Sequence, residues 1–445
     1  MERKEYNCIV VGAGLAGLYA AHELSKTLAD VLVVEAHTDI GGRVRQIHGL
    51  APWPIEAGPE FVHGAENHKF NQVVKDFGMK FTEKGWPDWW YFGREGRLVK
   101  DADVDEEVNQ LHELIDSVGD EAPPPPGTDV SAEQWLRSKG TTERQMQVAD
   151  VCYANDFGCS LAQLGLREMI VENNNWDSGE TYLIADQSMR VVVERLAEGL
   201  DILTGFPVTA VHYSASGAVL RGPGGRELRA RKVIITAPLR VLQAGKIAFS
   251  PPLPAAKCDA IRRLRMGNAV KVVCAFSRRF WPAELYDVCC TDCFAPEIWS
   301  TQHAPAEGGA AHLHAMVGFI AGDRADAVGR MGAAEAVRRF VAQLDAMFGS
   351  TSDPAPASGA LVAHEVFDWS EVEWVGGAYS FPSFGAEDGD RRALAAPVEG
   401  VLFFAGEAAH AAVNPCMQAA LETGGRAAAE AAAALAGAAP ARSRL

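Results

Sequence analysis

A glycine-rich turn, three carboxylates, an arginine, a histidine and a lysine set in an apolar run are the residues of this chain best placed to do chemistry. Val10-Val11-Gly12-Ala13-Gly14-Leu15-Ala16-Gly17 reads as a strand running into a glycine turn and a helix. This is the G-x-G-x-x-G pattern, whose backbone approaches a pyrophosphate in both NAD and FAD enzymes. Glu35 follows the apolar run Val31-Leu32-Val33-Val34, about 20 residues beyond the turn, where a carboxylate binds ribose hydroxyls and repels a 2′-phosphate. Gly41-Gly42 lets the backbone pass close to a ligand, and Arg43 can neutralise pyrophosphate charge. Glu60 and His63 sit among the glycine and proline punctuation of Gly58, Pro59 and Gly64, as backbone wrapped around a flat ligand would. Lys271 lies in Val270-Lys271-Val272-Val273, where an unpaired ammonium is costly and burial should depress its pKa. Near the far end, Val401-Leu402-Phe403-Phe404-Ala405-Gly406-Glu407 is a strand closing on an acidic residue before another helix. Two ends of a chain meeting on one dinucleotide is flavoenzyme behaviour.

The elements that must position these residues follow from periodicity. A first strand is predicted over 6–11, a helix over 14–29 with Leu15, Leu18 and Leu24 toward a sheet, and a buried parallel strand over 31–34. Residues from about 79 to 185 change character, with a helix carrying Val108, Leu111 and Ile115, a proline linker at 123–126, and two helices around 131–154. Trp86, Trp89 and Trp90 are expected to be buried structural residues, with a pocket wall as the alternative. β character returns from Phe206 through Val211 and again at Lys232-Val233-Ile234-Ile235-Thr236, before a proline stop at Pro238. A second mixed segment includes a strand over 311–320 and a helix over 332–347. Asn414-Pro415 is read as the cap and first residue of the last helix, leaving the amides of Cys416, Met417 and Gln418 free. Gly424-Gly425 allows that helix to pack closely.

A chain of 445 residues holds two domains, and its 41 basic against 58 acidic side chains give a net charge of −17. That balance argues against nucleic acid and favours cationic ligands. Nine scattered cysteines suggest free thiols in a reducing compartment. Cys289, Cys290 and Cys293 lack a partner pair or nearby histidine, so they are read as structural and no metal site is expected. A strand begins within the first ten residues, which leaves no room for a leader peptide. The alanine-rich tail is interrupted by Glu430 and reads as no membrane anchor. Ser443-Arg444-Leu445 is a variant of the peroxisomal S-K-L address, so a peroxisomal import receptor is an expected partner, with the cytoplasm as the alternative location.

Taken together, several segments resemble the flavin amine oxidase superfamily, polyamine oxidases above all, with monoamine oxidases and lysine-specific demethylases as relatives. They are residues 12–17, Glu35, Gly41-Gly42-Arg43, residues 58–64, Ala237-Pro238-Leu239, the run from Met266 to Val273, Phe280-Trp281-Pro282, Gly376-Gly377-Ala378-Tyr379-Ser380 and residues 403–407. The resemblance is collinear over essentially the whole chain. It implies FAD bound through Gly12, Gly14, Ala16, Gly17, Glu35, Ala36, Gly42, Arg43, Gly58, Pro59, Val208, Trp369, Gly406, Glu407 and Met417. Lys271 would hydrogen-bond through a water to flavin N5 and assist reoxidation by oxygen, with Lys271, His63 and Tyr379 as the catalytic set. Glu60, His63, Tyr379 and Cys416 would contact substrate. Tyr379 would form one wall of an aromatic amine cage. Cys416 replaces the other, aromatic in many relatives, and leaves half a cage. Ala378 stands where monoamine oxidases attach flavin through cysteine, which implies non-covalent FAD.

The expected fold is therefore α/β. A Rossmann-like FAD-binding domain (1–78, 186–270 and 365–445) is interleaved with a mixed-sheet α+β substrate domain (79–185 and 271–364), both discontinuous. The expected reaction is hydride transfer from the α-carbon of a small cationic amine to flavin N5, with oxygen as acceptor and hydrogen peroxide as product. Spermine, spermidine or acetylated polyamines are the first substrate choice. Other amine oxidases, acting on L-amino acids or methyl-lysine, are alternatives, as are flavin-dependent isomerases and desaturases and a catalytically silent flavin scaffold. A demethylase is disfavoured because no amino-terminal recognition domain or helical-hairpin insertion is read in the chain. An L-amino-acid oxidase lacks a placeable arginine clamp.

Overall fold

The computed structural model describes residues 5–66, 69–179, 181–301, 313–413 and 415–437. Its first sheet has eight strands, and the central ones carry short apolar runs, at 8–11, 31–34, 233–235 and 402–404, that are buried on both faces. Asp201–Leu203, Val31–Val34, Glu5–Val11, Glu227–Ile235 and Leu402–Phe404 pair in parallel. The register aligns Leu203 with Val34, Val34 with Val11, Val11 with Ile235 and Ile235 with Phe404, so all five strands end on one line. Gly12, Glu35, Thr236 and Ala405 leave the sheet along that line, the edge where open α/β sheets bind ligands. An antiparallel hairpin, Ala210–Ser214 with Gly217–Arg221, extends the sheet on its far side.

Helix Leu15–Ser25 packs on this sheet and against helix Met417–Leu435. The two approach closely because Gly424 has no side chain. A Cβ there would lie 2.3 Å from the carbonyl oxygen of Ala16. Residues from the two ends of the chain thereby share one core around Leu18, Leu421 and Ala428.

The second sheet is seven-stranded, in the order Leu361–Asp368, Ala269–Phe276, His314–Ala321, Glu297–Thr301, Asp287–Thr291, Trp89–Phe92, Arg97–Lys100. All neighbours are antiparallel except Asp287–Thr291 with Trp89–Phe92. Alternation along Ala269–Phe276 sends Val270, Val272, Cys274 and Phe276 into a core under helix Ala333–Phe348. Val273 faces the other way, toward Ile55, Ala57 and Trp299. Lys271 shares that face by its period of two, which turns its ammonium toward the first sheet.

A helical layer covers the cavity between the sheets. Ala132–Ser138 and Glu143–Ala149 each open with a capping box, Ser131 with Gln134 and Thr142 with Gln145. Glu143–Ala149 then runs into a single π-type turn, Asp150–Ala154, of the kind that often marks a functional wall.

The structure corrects several sequence expectations. The first helix stops at Ser25. The strand expected from Phe206 begins at Ala210, because the amide of Phe206 donates to the carbonyl of Glu35 and holds the preceding segment across the strand ends. The last helix opens at Met417 with Cys416 as cap residue. Asn414 lies outside the described residues, as do Ser443-Arg444-Leu445 and positions 311 and 312 of the strand expected over 311–320. The three tryptophans divide. Trp90 is fully buried and its indole donates to Asp101 at 2.8 Å, whereas Trp86 lines the cavity.

Candidate active site

A continuous cavity of about 980 Å³ runs from the strand ends of the first sheet to the inner face of the second. At one end Glu35 points back into the glycine turn. Its Oε2 accepts the amide of Ala13 at 2.7 Å and its Oε1 that of His37 at 2.9 Å, so the carboxylate is fixed before any ligand arrives. Ala36, Phe206, Val208 and Trp374 complete this end. Gly12, Gly14, Ala16 and Gly42 line the next stretch, beside the amino terminus of helix Leu15–Ser25. An anion is favoured there because the first amides of a helix have no intrahelical partner. Gly17 alone among the predicted cofactor residues does not line the cavity. It packs behind the turn, where a Cβ would lie 2.0 Å from the carbonyl oxygen of Gly12.

Arg43 carries a second duty that its sequence context did not reveal. Its Nη1 donates to Glu407 Oε1 at 2.8 Å and to the carbonyl of Ala378 at 2.9 Å. Glu407 in turn accepts the hydroxyl of Ser380 at 2.5 Å. Arg391 extends this network with a two-pronged bond to Glu168 and a bond to the carbonyl of Phe381. A buried guanidinium satisfied in this way fixes the segment that carries Tyr379. Helix Asp390–Ala395 gave no sequence signal for that role, since Asp-Arg-Arg reads as a solvated helix start.

At the opposite end of the cavity Lys271 Nζ donates to the carbonyls of Glu56 and Gly58, both at 2.8 Å. Glu60 Oε2 lies 3.6 Å from it, and the indole ring of Trp299 is 4.9 Å away. Burial lowers the lysine pKa, and the carboxylates of Glu60 and Glu56 partly offset this. Glu60 is oriented by the indole N–H of Trp299 at 2.8 Å. His63 packs edge-on against Tyr182, with ring centroids 4.6 Å apart. The Tyr379 hydroxyl donates to the carbonyl of Asp156 at 2.8 Å, which holds its ring in the wall. Trp369 donates to the carbonyl of Ala57 at 3.0 Å, and Gly58, Pro59, Gly406, Cys416 and Met417 also line the space. Burial pushes the Cys416 thiol far up, so it stands there as a neutral thiol. Apart from Gly17, the cavity gathers every residue expected at the site.

Sequence reasoning passed over Asp156, Tyr182, Glu297 and Trp299, all of them in the wall. Glu297 opens the strand Glu297–Thr301 just after Pro296, so no apolar run encloses it as one encloses Lys271. Asp156 gave no sequence signal, since it follows the π-type turn in an irregular segment.

The cofactor fit can be judged from this geometry. A glycine cradle at a helix start, a fixed carboxylate for ribose and a long cavity that ends against a buried lysine match an extended dinucleotide with a flat terminal ring. The sequence comparison decides the matter, because the family described as flavin containing amine oxidoreductase matches residues 15–432. This chain belongs to that family. Family membership implies a flavin cofactor and an oxidoreductase activity. Among curated relatives, human lysine-specific histone demethylase 2 is 27% identical over 90% of this chain and 50% of its own length. The probable polyamine oxidase 4 of Arabidopsis thaliana is 26% identical over 90% of this chain and 82% of its own length. The chain thus spans about half the length of the demethylases it matches. Putrescine oxidase bound to putrescine shares the fold, with a TM-score of 0.81 at 21% identity over 97% of this chain and 100% of that one. Cyclohexylamine oxidase from Brevibacterium oxydans IH-35A does so at 0.81 and 23% identity, over 96% and 99%.

This member of the family also buries carboxyls that form no ion pair among the described residues, and that sets a pH dependence. Asp287 is buried and accepts the amide of Asp88 at 2.6 Å; burial pushes its pKa up to about 8. A carboxyl raised in the folded state binds a proton the unfolded chain has lost, so its contribution is full below the ordinary carboxylate range and disappears as pH rises through about 8. The wild type is expected to lose melting temperature between pH 5 and pH 8, and Asp287→Asn to flatten that fall. Scanning calorimetry across that range checks it, and parallel curves for the two proteins would refute it.

Proposed function

We propose that the protein is an FAD-dependent amine oxidase acting on polyamines, with FAD held non-covalently and oxygen as electron acceptor. The observation that carries the reading is the character of the cavity end. Lys271 and Glu60 stand at one flank and Tyr379 in the wall, with carboxylates and aromatic rings supplying the remaining surface. Carboxylates and π faces attract ammonium groups, and the net charge of −17 steers a polycation toward them. The polyamine oxidase relatives support the same choice. Ala378, whose carbonyl is held by Arg43, offers no side-chain atom for a covalent flavin bond.

When bound, FAD supplies the two-electron acceptor for carbon–nitrogen oxidation. The protein's own groups do the rest. Tyr379, fixed by Asp156, orients a neutral amine nitrogen. Lys271 Nζ holds or releases a proton at the cavity wall. The surrounding aromatic residues Phe61, Tyr182 and Trp299 exclude water from the reacting bond.

The reacting amine must be unprotonated, so kcat/KM is expected to climb between neutral and mildly alkaline pH. Peroxide release should be measured from spermine, spermidine, acetylated polyamines, L-amino acids and a methyl-lysine peptide. Free or acetylated polyamines should be oxidised at least about tenfold faster than the others, a difference of about 1.4 kcal/mol in transition-state binding. Preference for the methyl-lysine peptide would move the assignment to the demethylases among its relatives. A flat pH profile would count against the amine mechanism.

A further inference from the structure

We infer that Cys290 and Cys293 form a redox site, in which hydrogen peroxide closes a disulfide across one turn and thiol reductants reopen it. The pair spans Cys290-Thr291-Asp292-Cys293, where strand Asp287–Thr291 turns back toward strand Glu297–Thr301. Asp292 takes a left-handed φ of +56°, which folds Cys293 back onto Cys290, and the two thiols hydrogen-bond each other. Cys290 is fully buried, whereas Cys293 is partly open to solvent. The turn leaves room for the outer sulfur because Gly93 faces it. A Cβ at Gly93 would lie 3.0 Å from Cys293 Sγ and 2.7 Å from the carbonyl oxygen of Thr291. Behind the turn, Gln343 from helix Ala333–Phe348 accepts the amide of Ala295 at 2.7 Å and donates to its carbonyl at 3.0 Å. It also hydrogen-bonds Cys290, so the inner sulfur is held in place.

Cys258, Cys293 and Cys416 are the partly exposed thiols among the described residues, and of these only Cys293 contacts a second thiol. Cys152 and Cys289 also hydrogen-bond each other, but both are buried. No group of three metal-ligating side chains forms among the described residues, so nothing completes a metal site around Cys290 and Cys293. Their division of labour follows from exposure. Burial, with repulsion from Cys293 and Glu297, holds Cys290 as a neutral thiol. Its S–H therefore remains a donor toward the thiolate of Cys293, the form that attacks peroxide. That attack breaks the O–O bond. Cys293 is oxidised by two electrons to the sulfenic acid, and its proton leaves with the other oxygen as water. The Cys290 sulfur then displaces hydroxyl from the sulfenic sulfur, and the hydroxyl leaves with the Cys290 proton as a second water. Two thiols and one peroxide thereby become one disulfide and two waters. The oxidant is the product that the proposed oxidase releases, and strand Glu297–Thr301 runs from this turn to Trp299 in the cavity wall.

The test adds hydrogen peroxide to the FAD-loaded enzyme without amine, so its outcome does not depend on the substrate or on the electron acceptor. After a quench, the remaining thiols are alkylated in denaturant and mapped by mass spectrometry. Cys290 and Cys293 are expected to lose alkylation together, in a peptide lighter by two hydrogens than its reduced form, and to regain it with dithiothreitol. In Cys290→Ser the reaction should stop at a sulfenic acid on Cys293 that dimedone traps. In Cys293→Ser, the Cys290 thiol should be lost at least about tenfold more slowly than in the wild type. A wild type that keeps both thiols, carries Cys293 straight to the sulfinic acid, or closes Cys152 onto Cys289 instead overturns the inference, and none of these readings needs a variant. Loss of the Cys290 thiol at equal rates with and without Cys293 overturns it as well.

Discussion

Gly17→Ala is expected to yield a protein that purifies without flavin and binds added FAD about a hundredfold more weakly, a loss of about 2.7 kcal/mol. The added methyl would lie 2.0 Å from the Gly12 carbonyl oxygen and 3.0 Å from Thr236 Oγ1. Neither neighbour can yield cheaply. Gly12 is held at φ +108°, and its amide donates to the carbonyl of Val34 at 2.8 Å. Thr236 Oγ1 donates to the carbonyl of Val11 at 2.8 Å, so its position is fixed by the parallel strands. Helix Leu15–Ser25 must therefore back away from the turn and carry its free amides off the pyrophosphate position. Overpacking of this kind costs about 1–3 kcal/mol, and the fold can survive it through the large core shared with Met417–Leu435. The measurement is the ratio of flavin to protein absorbance, with FAD titration followed by fluorescence. A yellow variant with wild-type affinity would show that the turn can relax without losing the ligand.

That glycine was legible because a turn closing on a phosphate has few chemical solutions, all of them local in sequence. The same holds for Glu35, placed by the end of a four-residue apolar strand. Lys271 was legible for a different reason. A charge inside an eight-residue buried strand is an anomaly, and anomalies of that kind mark function. Glu297 carried a weaker mark, because it opens its buried strand instead of lying inside it, and that strand was not separated from the surrounding mixed segment. Long-range pairings were the hard part. Arg43 meets Glu407 across 364 positions, and Arg391 meets Glu168 across 223, and no local pattern records either meeting. The start of the last helix was misplaced because Asn-Pro is a sound opening by propensity. The structure instead begins the helix at Met417, with Cys416 extended ahead of it at ψ 169°. Propensity is a weak prior that tertiary context overrides.

Lys271→Met is expected to lower turnover with oxygen about a hundredfold, at the low end of what a positioned proton-transfer group contributes. An ammonium has three donors. Two of them are spent on the carbonyls of Glu56 and Gly58, at 2.8 Å each, which leaves one for the cavity and Glu60. Burial lowers the lysine pKa toward the working range, the condition under which one group can both give and take a proton. Methionine matches the side chain in length and offers neither charge nor donor. Stability should change less than activity. The variant leaves two carbonyls unsatisfied, at about 1–3 kcal/mol each, but it also removes a buried charge, and replacing such a charge by an apolar side chain is often neutral or better. The decisive comparison is between oxygen consumption and anaerobic bleaching of the bound flavin by amine. A hundredfold loss in the first with less than a tenfold loss in the second would locate the role of Lys271 in the step that uses oxygen. Equal losses would instead make it a residue that positions the amine, since an interaction shared by both half-reactions cannot belong to one of them.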